Sequence, residues 1–167
     1  MFRLRFPAKD VRSWAARYPV AFDGTIEVPA ARSRARGYLT KPEFLRICRW
    51  KTPRSQPTCA RNGSRLVAEA TRLALSARSE ELKIGNLLIL AGVSWPTASV
   101  ILHLCDRGRY PILDVRALWS SGCARTPAYT FEVWWAYVRF TRDLARRAGC
   151  SMREDDRALW QYSKERQ

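Results

Sequence analysis

Two short stretches of this chain hold residues whose type and spacing could do chemistry. The first is Tyr110-Pro-Ile-Leu-Asp114-Val-Arg116, in which an aspartate closes an apolar run. Asp114 stands at the expected start of a short helix, where aspartate is a preferred N-cap. A carboxylate held there can also steady a developing positive charge or take a proton from water. The two roles are compatible. The second stretch is Ala91-Gly-Val-Ser-Trp-Pro-Thr-Ala98, set between two apolar segments. Gly92 can take a positive φ or let another backbone come close. Ser94 can cap the helix that follows. The first amides of that helix lack intrahelical partners, so they suit an anion such as a phosphate. Clamping by backbone amides alone would ignore base sequence.

Other reactive side chains offer less. His103 is the single histidine, and a packed or surface role suits it better than catalysis. The five cysteines, at 48, 59, 105, 123 and 150, are odd in number and show no Cys-x-x-Cys pair. They read as reduced thiols rather than a disulfide framework or a metal site.

Charge is the strongest bulk property. Thirty basic residues face fifteen acidic ones, a net charge of +15. Such a surface attracts polyanions, nucleic acid above all. Twenty-five of the thirty are arginines, and a GC-rich coding bias favours arginine over lysine without explaining the surplus of charge. Lys51, Arg54, Arg107 and Arg109 are candidate phosphate contacts, each with solvation as the plainer role. No run of 18 apolar residues is present, so no membrane span is expected. The N-terminus lacks the apolar stretch of a signal peptide. The expected location is the cytoplasm.

The elements that must position these groups are helical. Residues 8–18 read as a short helix with Val11, Trp14 and Ala15 on one face. Around Asp23-Gly24 a brief hairpin is expected, and Ala31-Arg-Ser-Arg-Ala-Arg-Gly37 as a basic loop or fraying helix. Thr40-Lys-Pro-Glu43 fits a capping box that opens a helix to about Trp50. Prolines 53 and 57 end it. Further helices are expected at 65–77, 80–90, 96–105, just after Asp114, and 130–148. In the last of these, Trp134, Trp135 and Val138 read as a core stripe. Ser151-Met-Arg-Glu154 is a second capping box, opening a helix to about Lys164. Asp106-Arg-Gly-Arg109 reads as a turn. The expected fold is all-α, a bundle of short helices. Residues 1–37 read as an N-terminal appendage and 38–167 as the main domain.

With these motifs in place, Leu90-Ala-Gly-Val-Ser-Trp-Pro-Thr-Ala98 resembles the helix-hairpin-helix of the HhH-GPD superfamily of base-excision DNA glycosylases, with the hairpin at 83–105. That family's hairpin reads Leu-Pro-Gly-Val-Gly, two variable residues, then Thr-Ala. Gly92, Val93, Thr97 and Ala98 match, while Ala91 and Ser94 depart from the pattern. The family places an aspartate downstream, and its adenine-excising branch resembles Pro-Ile-Leu-Asp, as in Pro111 to Asp114 here. Asp114 follows Pro96 by 18 residues, the spacing expected of the family. The glutamine-rich segment usual upstream is missing, and Trp50-Lys-Thr-Pro-Arg54-Ser-Gln56 stands there instead. The tail Arg157-Ala-Leu-Trp-Gln-Tyr-Ser-Lys-Glu-Arg-Gln167 also resembles small bacterial proteins.

The resemblance implies a double-stranded DNA partner, with the chain taken as a monomer. It implies backbone contacts from Gly92, Val93, Ser94 and Thr97, aided by Lys51 and Arg54. Asp114 becomes the catalytic carboxylate beside an oxocarbenium-like sugar. Lyase-type members carry a lysine where this chain has Pro96, so the implied enzyme is monofunctional. A base taken out of the stack needs an aromatic or apolar pocket, for which Trp50, Trp95 and Tyr110 are candidates. The implied cofactor set is empty apart from a monovalent cation at the hairpin; no other metal is implied. Two other readings stay open: a non-catalytic helix-hairpin-helix DNA-binding module, and a helical protein that is basic through composition alone.

Overall fold

A computed structural model describes residues 2–106 and 109–167. In chain order the α-helices are α1 Val11–Ala16, α2 Glu27–Arg36, α3 Lys41–Lys51, α4 Gln56–Cys59, α5 Ser64–Ser76, α6 Glu80–Leu88, α7 Trp95–Cys105, α8 Val115–Ser120, α9 Phe131–Ala148 and α10 Met152–Arg166. Short 3-10 turns cover Ala8–Asp10, Val20–Asp23 and Pro53–Ser55. No strand occurs among the described residues, and no helix there is long and apolar enough to cross a membrane. The expected turn at 106–109 and the phosphate role of Arg107 fall partly on residues 107 and 108, outside the described residues.

Two sequence expectations change. Asp23-Gly24 lies at the end of a 3-10 turn and in the tight turn that leads into α2, not in a hairpin. The basic stretch that follows is a regular helix, α2. Ile26, Pro29, Ala30 and Ser33 are buried on one side of it, and the Arg34 guanidinium donates to the Leu104 carbonyl. Tertiary contact therefore holds a helix that its arginines obscure in the sequence. The chain divides into one unit of residues 20–108 and another of 1–19 with 109–167.

In the 20–108 unit, α7 is packed against by α2, α3 and α6, and α5 pairs with α6. This explains the largely apolar α7 sequence. Thr97 through Leu102 and Cys105 are all buried, and a helix apolar all round belongs in a core. The α3 capping box forms as expected: the Glu43 carboxylate accepts from the Thr40 amide at 2.9 Å and pairs with Arg36.

In the other unit, α10 is packed by α1, α8 and α9. The Arg3 and Arg5 amides donate to the Ser121 and Ser120 carbonyls, both at 2.9 Å. Phe6 and Trp14 meet Tyr162 at ring separations of 4.6 and 5.1 Å. Trp134, Tyr137 and Val138 of α9 are fully buried, as a core stripe requires. Trp135 is half-buried. The Ser151–Glu154 box starts α10, with the Ser151 amide donating to Glu154 at 2.7 Å.

Candidate functional site

The turn between α6 and α7 is fixed from inside the protein. Gly92 adopts φ +78°, and a β-carbon built on it would lie 2.8 Å from both the amide nitrogen and the sulfur of Cys59. The side of Gly92 on which a side chain would sit is thus filled by α4. Asn62, only 4% exposed, clasps the preceding residue. Its Nδ2 donates to the Ala91 carbonyl at 2.8 Å and its Oδ1 accepts from the Ala91 amide at 2.9 Å. The same Nδ2 donates to the Cys59 carbonyl at 2.9 Å. The Val93 amide closes the turn on the Leu90 carbonyl at 3.0 Å.

What remains unused points to a ligand edge. The amides of Gly92, Ser94 and Thr97 have no acceptor among the described residues. Ser94 occupies the N-cap with extended backbone, but its hydroxyl makes no capping bond. The expected side-chain cap is therefore absent, and Ser94 is exposed. Pro96 contributes no N–H, so it removes one donor from the first turn of α7 at no cost to the helix. These donors at the positive end of an eleven-residue helix can hold an anion.

The side chains divide sharply. Val93 is 8% exposed and Thr97 1%. Thr97 is closed off, its hydroxyl buried without a hydrogen-bond partner, so a phosphate at this turn meets Gly92 and Ser94 rather than the expected Thr97. Trp95 is half-buried at the first position of α7. Trp50 and Lys51 end α3, both half-buried, and Arg54 is exposed on the 3-10 turn that leads into α4. Asn62 and Cys59, which set the turn, carry no local signal that marks them for that role.

A monovalent cation at this turn would need several carbonyl oxygens facing one point. The Ala91 carbonyl accepts from Asn62 and the Leu90 carbonyl from Val93. Both carbonyls already serve the turn, and no chemistry here runs through a cation. Among the described residues no three His, Cys, Asp or Glu side chains could hold a metal ion.

Asp114 and Tyr110 belong to the other unit. Asp114 is the N-cap of α8, with extended backbone, and its Oδ1 accepts from the Arg116 amide at 2.9 Å. The carboxylate is thereby fixed in orientation while remaining partly exposed. Two phenols lie in its field. Burial first, then the Asp114 charge, raises the pKa of Tyr129. Burial, then Asp156, Asp155, Asp114 and Cys123, raises that of Tyr137 far more. Both therefore stay protonated. Tyr129 is half-buried, so sequence reasoning missed a neutral hydroxyl in the electrostatic neighbourhood of Asp114.

Tyr110 does not serve as an open platform for a base. It is 2% exposed, its ring stacks on Trp134 at 6.0 Å, and the Arg142 guanidinium lies 5.0 Å from its centroid. The apolar segment Tyr110 to Leu113 is core, and its burial is what holds Asp114 at the start of α8. Comparison with known proteins adds no relative to this arrangement: no family model, no curated protein and no solved structure matches the chain.

Proposed function

We propose that this chain is a DNA-binding base-excision protein, a monofunctional DNA N-glycosylase that uses Asp114 as its carboxylate. The observation that carries the DNA-binding half is the α6–α7 turn. It presents the amides of Gly92 and Ser94 without internal acceptors, in a chain of net charge +15. Backbone donors at a helix start grip a phosphate without reading sequence, as a protein that searches DNA for one altered base requires.

The chemistry assigned to Asp114 follows from its fixed orientation. As the bond between base and sugar breaks, positive charge grows on C1′. A carboxylate beside it stabilises that charge and takes a proton from the attacking water. The C1′–N bond breaks, a C1′–O bond forms, and the base departs with a proton, leaving an abasic sugar. With proline at position 96 no amine is offered there for a Schiff base, so the strand stays intact.

The second reading is a helix-hairpin-helix module that binds DNA without cutting it. It is favoured by the Asp114 hydrogen bond to the Arg116 amide, which gives that carboxylate a capping role sufficient in itself.

Salt separates both readings from a merely basic protein. If the chain neutralises four phosphates, log K for a duplex falls against log salt with a slope of about −3.6. A flat response refutes DNA binding.

A further inference from the structure

A second cationic feature lies away from the turn, on the outer face of α3. Arg46, Arg49 and Trp50 stand at i, i+3 and i+4, so they share one side of the helix. The opposite side carries the buried Phe44, Ile47 and Cys48. Across from the first three lie Gly24, Thr25 and Val28, from the segment that enters α2. Together the six residues enclose a cleft of about 400 Å³, within the range of small-molecule sites.

The chemistry of the lining is specific. None of the six residues is acidic. Neither Arg46 nor Arg49 has a carboxylate partner among the described residues, whereas Arg36 nearby in sequence is paired with Glu43. Two exposed arginines line this cleft with no carboxylate to offset their charge. Their planar forks match a phosphate with paired hydrogen bonds. Trp50 is half-buried and gives the same cleft an aromatic wall. Val28, 51% exposed, adds apolar surface, and Thr25 a hydroxyl.

We propose that this cleft binds one nucleotide of a nucleic-acid strand, its base against Trp50 and its phosphate held by Arg46 and Arg49. Stacking on an aromatic ring is open to every base, so the cleft grips an unstacked nucleotide without selecting its identity. Its residues are neither those of the α6–α7 turn nor Asp114, and it stands whether or not the chain excises bases.

The test uses the full chain and fluorescein-labelled single strands of ten nucleotides. One strand is oligothymidine; the other has the same backbone with every base removed. The variants are Trp50→Leu, Trp50→Phe and the double variant Arg46→Gln/Arg49→Gln. Trp50→Leu should weaken the base-bearing strand about tenfold, within the range of one lost stack, and the abasic strand less than twofold. Trp50→Phe keeps a ring and should recover most of the loss. The double arginine variant should weaken both strands and reduce the salt slope by about 0.7, one single-strand phosphate's worth. It alters exposed side chains only, so it remains informative if Trp50→Leu unfolds the chain. Thymidine monophosphate, added as competitor, assigns the source: displacement means that a free nucleotide also fits, and none means that the strand is required. Equal losses for the two strands with Trp50→Leu, or an unchanged salt slope with the arginine pair, overturn the proposal. Duplex binding of the same variants is measured alongside. A cleft that fails while the duplex salt slope persists leaves the turn's assignment standing, and the reverse result leaves the cleft's.

Discussion

Gly92→Ala puts the packing of the α6–α7 turn to a quantitative test. The residue sits at φ +78°, where an L side chain costs about 1–2 kcal/mol. The new methyl would also lie 2.8 Å from the Cys59 amide nitrogen, 2.8 Å from its sulfur and 3.2 Å from the Thr58 β-carbon. The nitrogen belongs to the backbone of α4 and cannot rotate away. Forcing a methyl into such a site costs about 1–3 kcal/mol more. The expected total is about 2–5 kcal/mol. Gly37→Ala is the matched control, because it has φ +84°, the same unit and nothing within 4 Å of its added carbon. It should cost only the conformational part. Both variants lower the entropy of the unfolded chain equally, so that contribution cancels in the comparison. Urea unfolding followed by circular dichroism at 222 nm gives both values. Gly92→Ala should be the less stable by about 1–3 kcal/mol, with unchanged m. Equal losses, or a neutral Gly92→Ala, would refute the claim that α4 fills the inner side of the turn and leaves only its outer amides for a ligand.

Two further changes probe the rest of the frame. Asn62→Ala removes three hydrogen bonds around the turn and should cost about 2–4 kcal/mol, measured by the same urea unfolding, with amide exchange at residues 91–93 accelerated. Asp155 is fully buried, neither oxygen has a hydrogen-bond partner, and burial followed by the neighbouring Asp156 charge holds its pKa well above the ordinary value. The folded chain keeps that proton while the unfolded chain loses it near pH 3.9. The contribution is therefore intact at lower pH and lost as pH rises toward the folded pKa. Asp155→Asn should make stability less dependent on pH above the ordinary carboxylate range, seen as a flatter plot of urea midpoint than wild type; parallel plots would refute the buried neutral acid.

Much of the helix pattern was legible because its signals are local. Thr40 with Glu43, and Ser151 with Glu154, mark helix starts through side chains that reach their own backbone. The spacing of Trp134 and Val138 marks the inner stripe of α9. Elements that depend on distant residues were not legible. α2 hides because Arg32, Arg34 and Arg36 mask a buried face made mostly of small side chains, and its support arrives from Leu104. Nothing near Met1 shows that Arg3 and Arg5 will bond to residues 120 and 121. For the candidate site, Asp114 was placed correctly at a helix start because capping is local. Tyr110 was misjudged, since an aromatic beside a proline looks the same on a surface as in a core. The grip of Asn62 on Ala91, 29 positions away, has no signature in sequence. Arg46, Arg49 and Trp50 share a helix face by spacing alone, but the wall opposite them comes from a segment expected to be a hairpin.

The most direct test of the central claim is an excision assay with Asp114→Asn as its partner. Duplexes carrying one uracil, alkylated, oxidised, deaminated or mismatched base are incubated with the protein, then treated with hot alkali to cut at abasic sites. Asparagine caps helices as well as aspartate does, so the variant keeps the bond to the Arg116 amide and loses only the carboxylate. Cleavage at one lesion by the wild-type chain, abolished in Asp114→Asn while duplex affinity stays within about twofold, is the predicted result. Equal cleavage by both proteins, or none by either while salt-sensitive duplex binding is intact, would contradict the catalytic assignment and leave a DNA-binding module.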